Sequence, residues 1–517
     1  MVAVVEALDT IAASDVENLG IETGVITWAT LHHGNGAEYP IGNLITEINL
    51  FEDIQTIGVT GWLTMYDNVN LFQAGPIIGH ELLYIRIETA GATEGGVPEF
   101  ALNFLEHPLA VFKVDEMEPA TIGEGQTSTW LEYRLHFCST EMLDNERKRL
   151  SKTYQGTSSD IIKDIFEKEI NTKKPIEMWD TLDIHHFLSP NFRPYDVIAE
   201  LTARAQAQPR GSVGSRGRMA KGGAKTNLFD GRQSDFLCYE TSTRSDKSGG
   251  FKLLPAIAKA EFPSLQFTLQ NARTTGGVSD GSGSGGPDTG WKARMLMSLN
   301  YNFTALGDKY DSISAGVWGG THIRHNGITK KFDTYISNYQ KQLRHKRFSH
   351  ISDTPTLNTI RTVSEYPEAN IRLSSASAQV DSNINRSTKR VDYPWDITPP
   401  SATLLRTLQM AHLFGNHRIE LTLPGLSGLS VGELAFADLP ELGLGAGQPG
   451  LDGAKQLCEN RLDNVWLVTK VAHRLTTGAD NSNYLTKVEL VNTMSSTAKV
   501  LPTYGALGKS AGFGIGT

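Results

Sequence analysis

The chain is poor in cysteine, in charge and in long apolar runs, and each shortage removes a class of protein. Three cysteines in 517 residues, Cys138, Cys238 and Cys458, stand far apart with no CxxC spacing. A disulfide scaffold or zinc ribbon is excluded on that pattern, and free thiols in a reducing compartment are the expectation. No stretch approaches the roughly 18 uninterrupted apolar residues of a spanning helix, so membrane insertion is not expected. The first twenty residues carry acids but no Lys or Arg, unlike a secretory signal. Charged residues are only 20 % of the chain, and 57 acids against 48 bases leave a formal charge of −9. A general nucleic-acid coat needs a basic face that this balance does not supply.

What is present is ordinary globular material with extra glycine. Hydrophobic residues make up 39 %, and 50 glycines exceed the usual share of about 7 %. At roughly 150 residues per domain, three or four domains are expected. Many short strands with many turns account for the glycine. The clearest alternation is at 129–138, where Leu131, Tyr133, Leu135 and Phe137 take one face and Trp130, Glu132, Arg134 and His136 the other. Residues 81–89 alternate likewise through Leu83, Ile85 and Ile87. Strands are also read at 44–54, 57–67 and, as one run, at 100–114, giving an antiparallel sheet or barrel uninterrupted by helices.

From about residue 140 the period becomes helical. Thr157 and Ser158 precede a stripe of Ile161, Ile162, Ile165 and Phe166, and a hydroxyl there can cap the helix. A second helix is expected from Pro194, with Val197, Ile198, Leu201 and Ala205 inward. Composition then breaks twice. Residues 208–226 carry Arg210, Arg216, Arg218, Lys221 and Lys225 with no acid, which reads as a solvated loop or an anchor for an acidic partner or a nucleic-acid backbone. Residues 274–290 are rich in glycine and serine, and both stretches are expected to be mobile linkers. Strand character resumes at 295–303, a polar excursion follows over 341–400, and a helix is expected from Ser401 to Gly415 with Leu404, Leu405 and Leu408 inward. Strands return at 418–425, 429–439, 464–475 and 483–493. The expectation is two sheets of similar size at the ends of the chain, around a helical middle.

Catalytic patterns do not assemble. Gly277, Ser279 and Gly281 match the spacing of a nucleophile elbow but sit in the linker, without the strand and helix that strain such a serine. Gly505, Gly508, Lys509 and Ser510 are too closely spaced for a phosphate loop. His32–His33 and His185–His186 are adjacent pairs that a strand would point to opposite faces, with no second-ligand spacing. Asp115, Glu116 and Glu118 are the one set of acids that could serve glycoside hydrolysis. Trp62, Trp130 and Trp179 could stack sugars, although aromatic packing is the commoner use. No catalytic residue, cofactor site or metal site is assigned.

Five runs carry a family resemblance. Residues 44–89 (LITEINLFEDIQTIGVTGWLTMYDNVNLFQAGPIIGHELLYIRIET) resemble the opening domain of baseplate hub proteins of contractile-tailed bacteriophages. Residues 135–170 are similar to the next block of that family, a strand leading into S-x-E-x-L-x-N-E, a basic stretch and an amphipathic helix. Residues 191–205 resemble the helix that follows, and 314–339 and 415–440 do so more loosely. The resemblance implies an α+β, β-rich chain with two tail-tube-like antiparallel β-barrel domains and a smaller helical or mixed middle domain. The division expected is an arm at 1–20, a first barrel at 21–140, a mixed domain at 141–207 and linkers with a short β segment at 208–290. A β segment of the middle or second barrel domain follows at 291–345, then an excursion at 346–400, a second barrel with a packing helix at 401–497 and a tail at 498–517.

It further implies a homotrimer forming a pseudo-sixfold ring in the virion, assembled in the host cytoplasm. Its partners would be a trimeric central spike protein, tail-tube or tube-initiator proteins, a tape-measure protein and baseplate wedge proteins, with DNA passing through without specific binding. Two rivals remain. One is the hub of a related injection or secretion machine, a family that usually continues into an oligosaccharide-binding-type domain and a β-helix, which this sequence does not show. The other is a β-rich tail-associated cell-wall hydrolase using the acids at 115–118 or a histidine pair.

Overall fold

The computed structural model describes residues 24–206 with short gaps, 234–243, 249–255, 418–438, 464–477, 482–492 and several isolated strands between 265 and 391. The helix expected at 401–415, the two linker segments, most of the excursion and both termini lie outside the described residues.

The N-terminal strands are β1 (Gly24–His32), β2 (Glu38–Pro40), β3 (Ile45–Asp53), β4 (Thr60–Asp67), β5 (Leu82–Thr89), β6 (Ala101–Asn103), β7 (Leu109–Thr121) and β8 (Thr127–Ser139). The expected run at 100–114 is thus two strands. Asn103 breaks it, its side-chain oxygen accepting the Leu105 N–H at 3.0 Å in a local turn that competes with the ladder. A four-residue helix, α1 (Leu71–Ala74), also interrupts the strands. Burial follows the alternation: Tyr133, Leu135 and Phe137 are buried, as are Leu83, Ile85 and Ile87.

The middle of the chain forms α2 (Thr140–Arg147), β9 (Thr153–Thr157), α3 (Ser158–Asp164), β10 (Ile176–Met178), β11 (Ile184–Leu188) and α4 (Pro194–Arg204). Thr157 caps α3 by accepting the Asp160 N–H at 3.1 Å. The helix then widens into a π-helical turn over Ile165–Ile170 and stops at Asn171, whose φ of 59° is left-handed. Ile161, Ile162, Ile165 and Phe166 are buried, and so are Val197, Ile198, Leu201 and Ala205 on α4. They share one core with residues from β12 (Phe236–Thr241) and β13 (Gly250–Pro255).

The C-terminal strands are β14 (Leu265–Thr268), β15 (Asn300–Ala305), β16 (Gly319–Asn326), β17 (Lys331–Asn338), β18 (Ile371–Ala376), β19 (Arg418–Pro424), β20 (Leu434–Asp438), β21 (Asn464–Thr477) and β22 (Ser482–Asn492). Here the expectation of two sheets is corrected. One 14-stranded sheet runs β15-β19-β22-β21-β3-β4-β8-β7-β5-β1-β2, with β20 also on β21, β14 on β20 and β6 on β5. Strands β16–β18 form a separate three-stranded sheet. The suture is β21 on β3, antiparallel from Lys470↔Asp53 to Thr476↔Glu47. The two ends fuse because β21 has 14 residues, a span of about 46 Å, enough to serve two cores in succession. Its Trp466, Leu467, Val468 and Val471 enter the C-terminal core, whereas Leu475 enters the N-terminal one.

The N-terminal half curls until its outer strand meets the β21–β22 hairpin again. A Cβ on Gly24 would lie 2.5 Å from the Tyr484 ring, so β1 rests directly on β22. Gly61 is constrained in the same way: a Cβ there would come 2.3 Å from the Asn49 carbonyl oxygen and 2.6 Å from the Phe137 ring. Gly61→Ala is therefore expected to destabilise the protein by about 1–3 kcal/mol through overpacking. A thermal melt checks it; an unchanged midpoint would contradict so tight an approach of β3 to β4.

Candidate functional site

The most conspicuous chemistry among the described residues lies where the N-terminal strands meet the middle core. Strand β8 ends at Ser139 and passes directly into α2, so Glu141 enters the joint from the barrel side. Lys174 arrives from the loop after the π-helical turn, and Glu240 from β12. The Lys174 ammonium lies 2.6 Å from Glu141 Oε2 and 2.7 Å from Glu240 Oε1, with side chains 7 %, 7 % and 3 % exposed respectively. Thr172 Oγ1 donates to Glu141 at 2.7 Å. The Val59 N–H, just ahead of β4, points at both Ser139 Oγ (3.1 Å) and Glu240 Oε2 (3.3 Å). Burial pushes the Glu240 carboxyl up, against the pull of Lys174. Glu141 is buried too, but Lys174 and the Thr172 hydroxyl hold it below the usual range. Lys174, though desolvated, is raised by its two carboxylate partners. Two carboxylates and one ammonium tie the end of β8 to the middle core.

The residues of the S-x-E-x-L-x-N-E run prove to be this joint. Besides Ser139 and Glu141, Asn145 accepts the Tyr195 N–H at 2.7 Å, and Glu146 pairs with Arg193 at 2.8 Å. Both contacts hold the start of α4, where Arg193 donates its backbone N–H to Asp196 and Pro194 opens the helix. The other family-like run is explained similarly. The Asp67 carboxylate, almost fully buried, accepts the N–H groups of Val69, Leu71 and Phe72 at the start of α1. The Glu81 carboxylate gathers those of Ile78, Gly79 and His80, around a Gly79 whose φ of +85° suits glycine. Asp67, Glu81, Glu141 and Glu146 thus satisfy backbone donors or pair two elements.

The second feature is the outer wall of β4, β7 and β8. Trp130 stands edge-on to Tyr66 at 5.4 Å, the Arg134 guanidinium covers Trp62 at 4.1 Å, and His136 lies near Phe112. Phe112, Met117 and Trp130 are exposed. Asp115, Glu116 and Glu118 sit on this wall. Asp115 bonds His136 Nε2 at 2.8 Å and pairs with Lys113, which with His136 keeps its carboxyl below the ordinary range. Glu116, at a left-handed φ of 51° where the β7–β8 register slips, pairs with Arg134. Glu118 stands in register with Glu132 on the open strand surface. These acids are spread along an exposed strand, two of them bound to cations.

The first histidine pair also separates. His32 lies 3.7 Å from Glu38, and His33 lies 3.8 Å from Glu81. His185 is buried in β11. Trp179 is packed against the middle core. Among the described residues no group of three metal-ligating side chains occurs, and no helix is long and apolar enough to cross a membrane. Cys138 and Cys238 are free and buried; desolvation pushes the Cys138 thiol up to about 12. Arg210, Arg216, Arg218, Lys221 and Lys225, the partner-interface residues of the sequence reading, lie outside the described residues. The Lys174 cluster escaped the sequence reading, because Glu141, Lys174 and Glu240 are separated by 33 and 66 residues and only the fold brings them together.

No family model and no curated protein matches the chain. Among solved structures it is similar to a tail protein from Neisseria meningitidis MC58, at 9 % identity and a TM-score of 0.47 over 90 % of this chain and 96 % of that one. It is similar to the 43 kDa tail protein of prophage MuSo2 from Shewanella oneidensis, at 9 % identity and a TM-score of 0.43 over 90 % and 98 %. A chain of the lidded PdpA–VgrG complex of Francisella is also similar, at 9 % identity and 0.43, with 91 % of this chain spanning 53 % of that one.

Proposed function

We propose that the protein is a structural hub of a contractile phage tail baseplate, a homotrimeric ring that joins the tail tube to a central spike and lets DNA pass. The observation that carries this reading is the continuous antiparallel sheet, which makes a rigid two-core plate from strands more than 400 residues apart. What adds support is the use of the family-like residues: Gly61, Asp67, Glu81, Glu141 and Asn145 all shape the scaffold. Among the described residues β15 and β2 end the sheet, and such edges are surfaces on which neighbouring subunits or tube proteins can pair. In this reading the chain has no catalytic centre, and the five bases between Arg210 and Lys225 are docking elements for an acidic partner.

The test is the native mass of the purified protein, alone and mixed with its candidate spike, for the wild type and for a chain with those five bases changed to Glu. A threefold mass and a wild-type spike complex are expected, with the charge-reversed chain still trimeric but impaired in partner docking. A monomer that binds no spike would overturn the assignment.

A further inference from the structure

We propose that the Glu141–Lys174–Glu240 cluster is a proton-operated latch, in which one proton taken up by the two carboxylates neutralises the joint and tightens the middle domain on the first barrel. The inference stands apart from the hub reading. Its basis is charge and geometry at one buried place. With both carboxylates ionised the cluster carries one uncompensated negative charge, in a site closed on one side by the Phe251 ring, 5.8 Å from the Lys174 ammonium. An uncompensated buried charge is costly, and a proton from solvent removes it without breaking the remaining ion pair.

The elements meeting there hold few other groups that could answer. From β8 comes Cys138, from β12 Cys238, and from α4 the Tyr195 phenol, all raised by burial and so neutral through the physiological range. From β3, Glu52 is buried and accepts the Ser242 N–H at 3.2 Å, next along the chain from the β12 end. The Val59 loop and the Ser139 and Thr172 hydroxyls carry no charge. Proton exchange at the joint thus falls to the cluster's own carboxylates, and chiefly to Glu240, which has Lys174 on one oxygen and the Val59 N–H on the other.

The sign follows. A carboxyl raised on folding lends stability that is complete below its unfolded pKa and is lost as pH rises through its folded pKa. The joint is therefore tighter in mild acid than at alkaline pH. Strong acid reverses this, because Glu141, held low, then protonates and releases Lys174.

Amide exchange reads the latch directly, since the Val59 N–H reaches across it to Glu240 Oε2 at 3.3 Å. Peptides spanning 57–60 and 137–147 are followed from pH 5 to 8, corrected for intrinsic exchange, with 131–135 as internal reference. Wild-type protection at the joint is expected to fall by up to about tenfold per pH unit above the ordinary Glu range. Glu240→Gln, a permanently neutral mimic, is expected to give a flat profile and at pH 8 protection at least equal to wild type. Equal slopes in both proteins, or a Gln variant less protected at every pH or unable to fold, would overturn the proposal.

Discussion

Replacing Lys174 by methionine is expected to cost the folded state about 3–5 kcal/mol at neutral pH. The loss is electrostatic and leaves packing nearly intact, since methionine fills a similar volume. Glu141 and Glu240 would then face each other as two buried carboxylates with no cation between them. The same variant should recover part of its stability in mild acid, where one or both carboxylates become neutral, which distinguishes charge from shape. Urea titration at pH 5 and pH 8 measures both effects. Substituting all three residues together, with Leu at 141 and 240 and Met at 174, should return most of what the single change loses, because apolar replacement of a complete buried ion cluster is often neutral or stabilising. A single variant within 1 kcal/mol of wild type at pH 8 would show that the cluster is solvated and structurally idle.

The contrast between this cluster and the helices beside it shows what a sequence of this kind exposes. The stripe at Ile161, Ile162, Ile165 and Phe166 and the Pro194 start were legible because each rests on residues within two turns of one another. The alternation at 129–138 was legible for the same reason. The break at Asn103 was not, because an Asx turn inside an apolar run differs from a strand only in one side-chain hydrogen bond. The pairing of Lys470–Thr476 with Glu47–Asp53 has no local trace, since any amphipathic strand could supply either edge. The acids at 115–118 looked like candidates by adjacency, yet their partners Arg134 and His136 come from the next strand. Family-like motifs were visible as patterns, but their purpose, satisfying backbone donors and locking the joint, required the fold.

Trp466→Ala is the corresponding test of the suture between the two ends of the chain, with an expected cost of about 3–5 kcal/mol. Trp466 is fully buried and, among the described residues, is the largest of the completely enclosed side chains. It lies on β21, opposite Ala435 of β20 and Asn492 of β22, so its removal opens a cavity between three strands. The cost should not stay local. Nine residues on, the same strand places Leu475 in the N-terminal core, and between them Val471 and Ala472 pair with Glu52 and Phe51 of β3. A strand held on both sides along that length transmits loss of order from one core to the other, so the two halves should unfold in one cooperative step. Differential scanning calorimetry of the variant should show a single transition for both halves, shifted down as a unit. A resolved early transition confined to the C-terminal strands, with the β1–β8 half melting at its wild-type temperature, would mean that the shared sheet is continuous in hydrogen bonding but not in stability, and the rigid two-core plate would lose its physical basis.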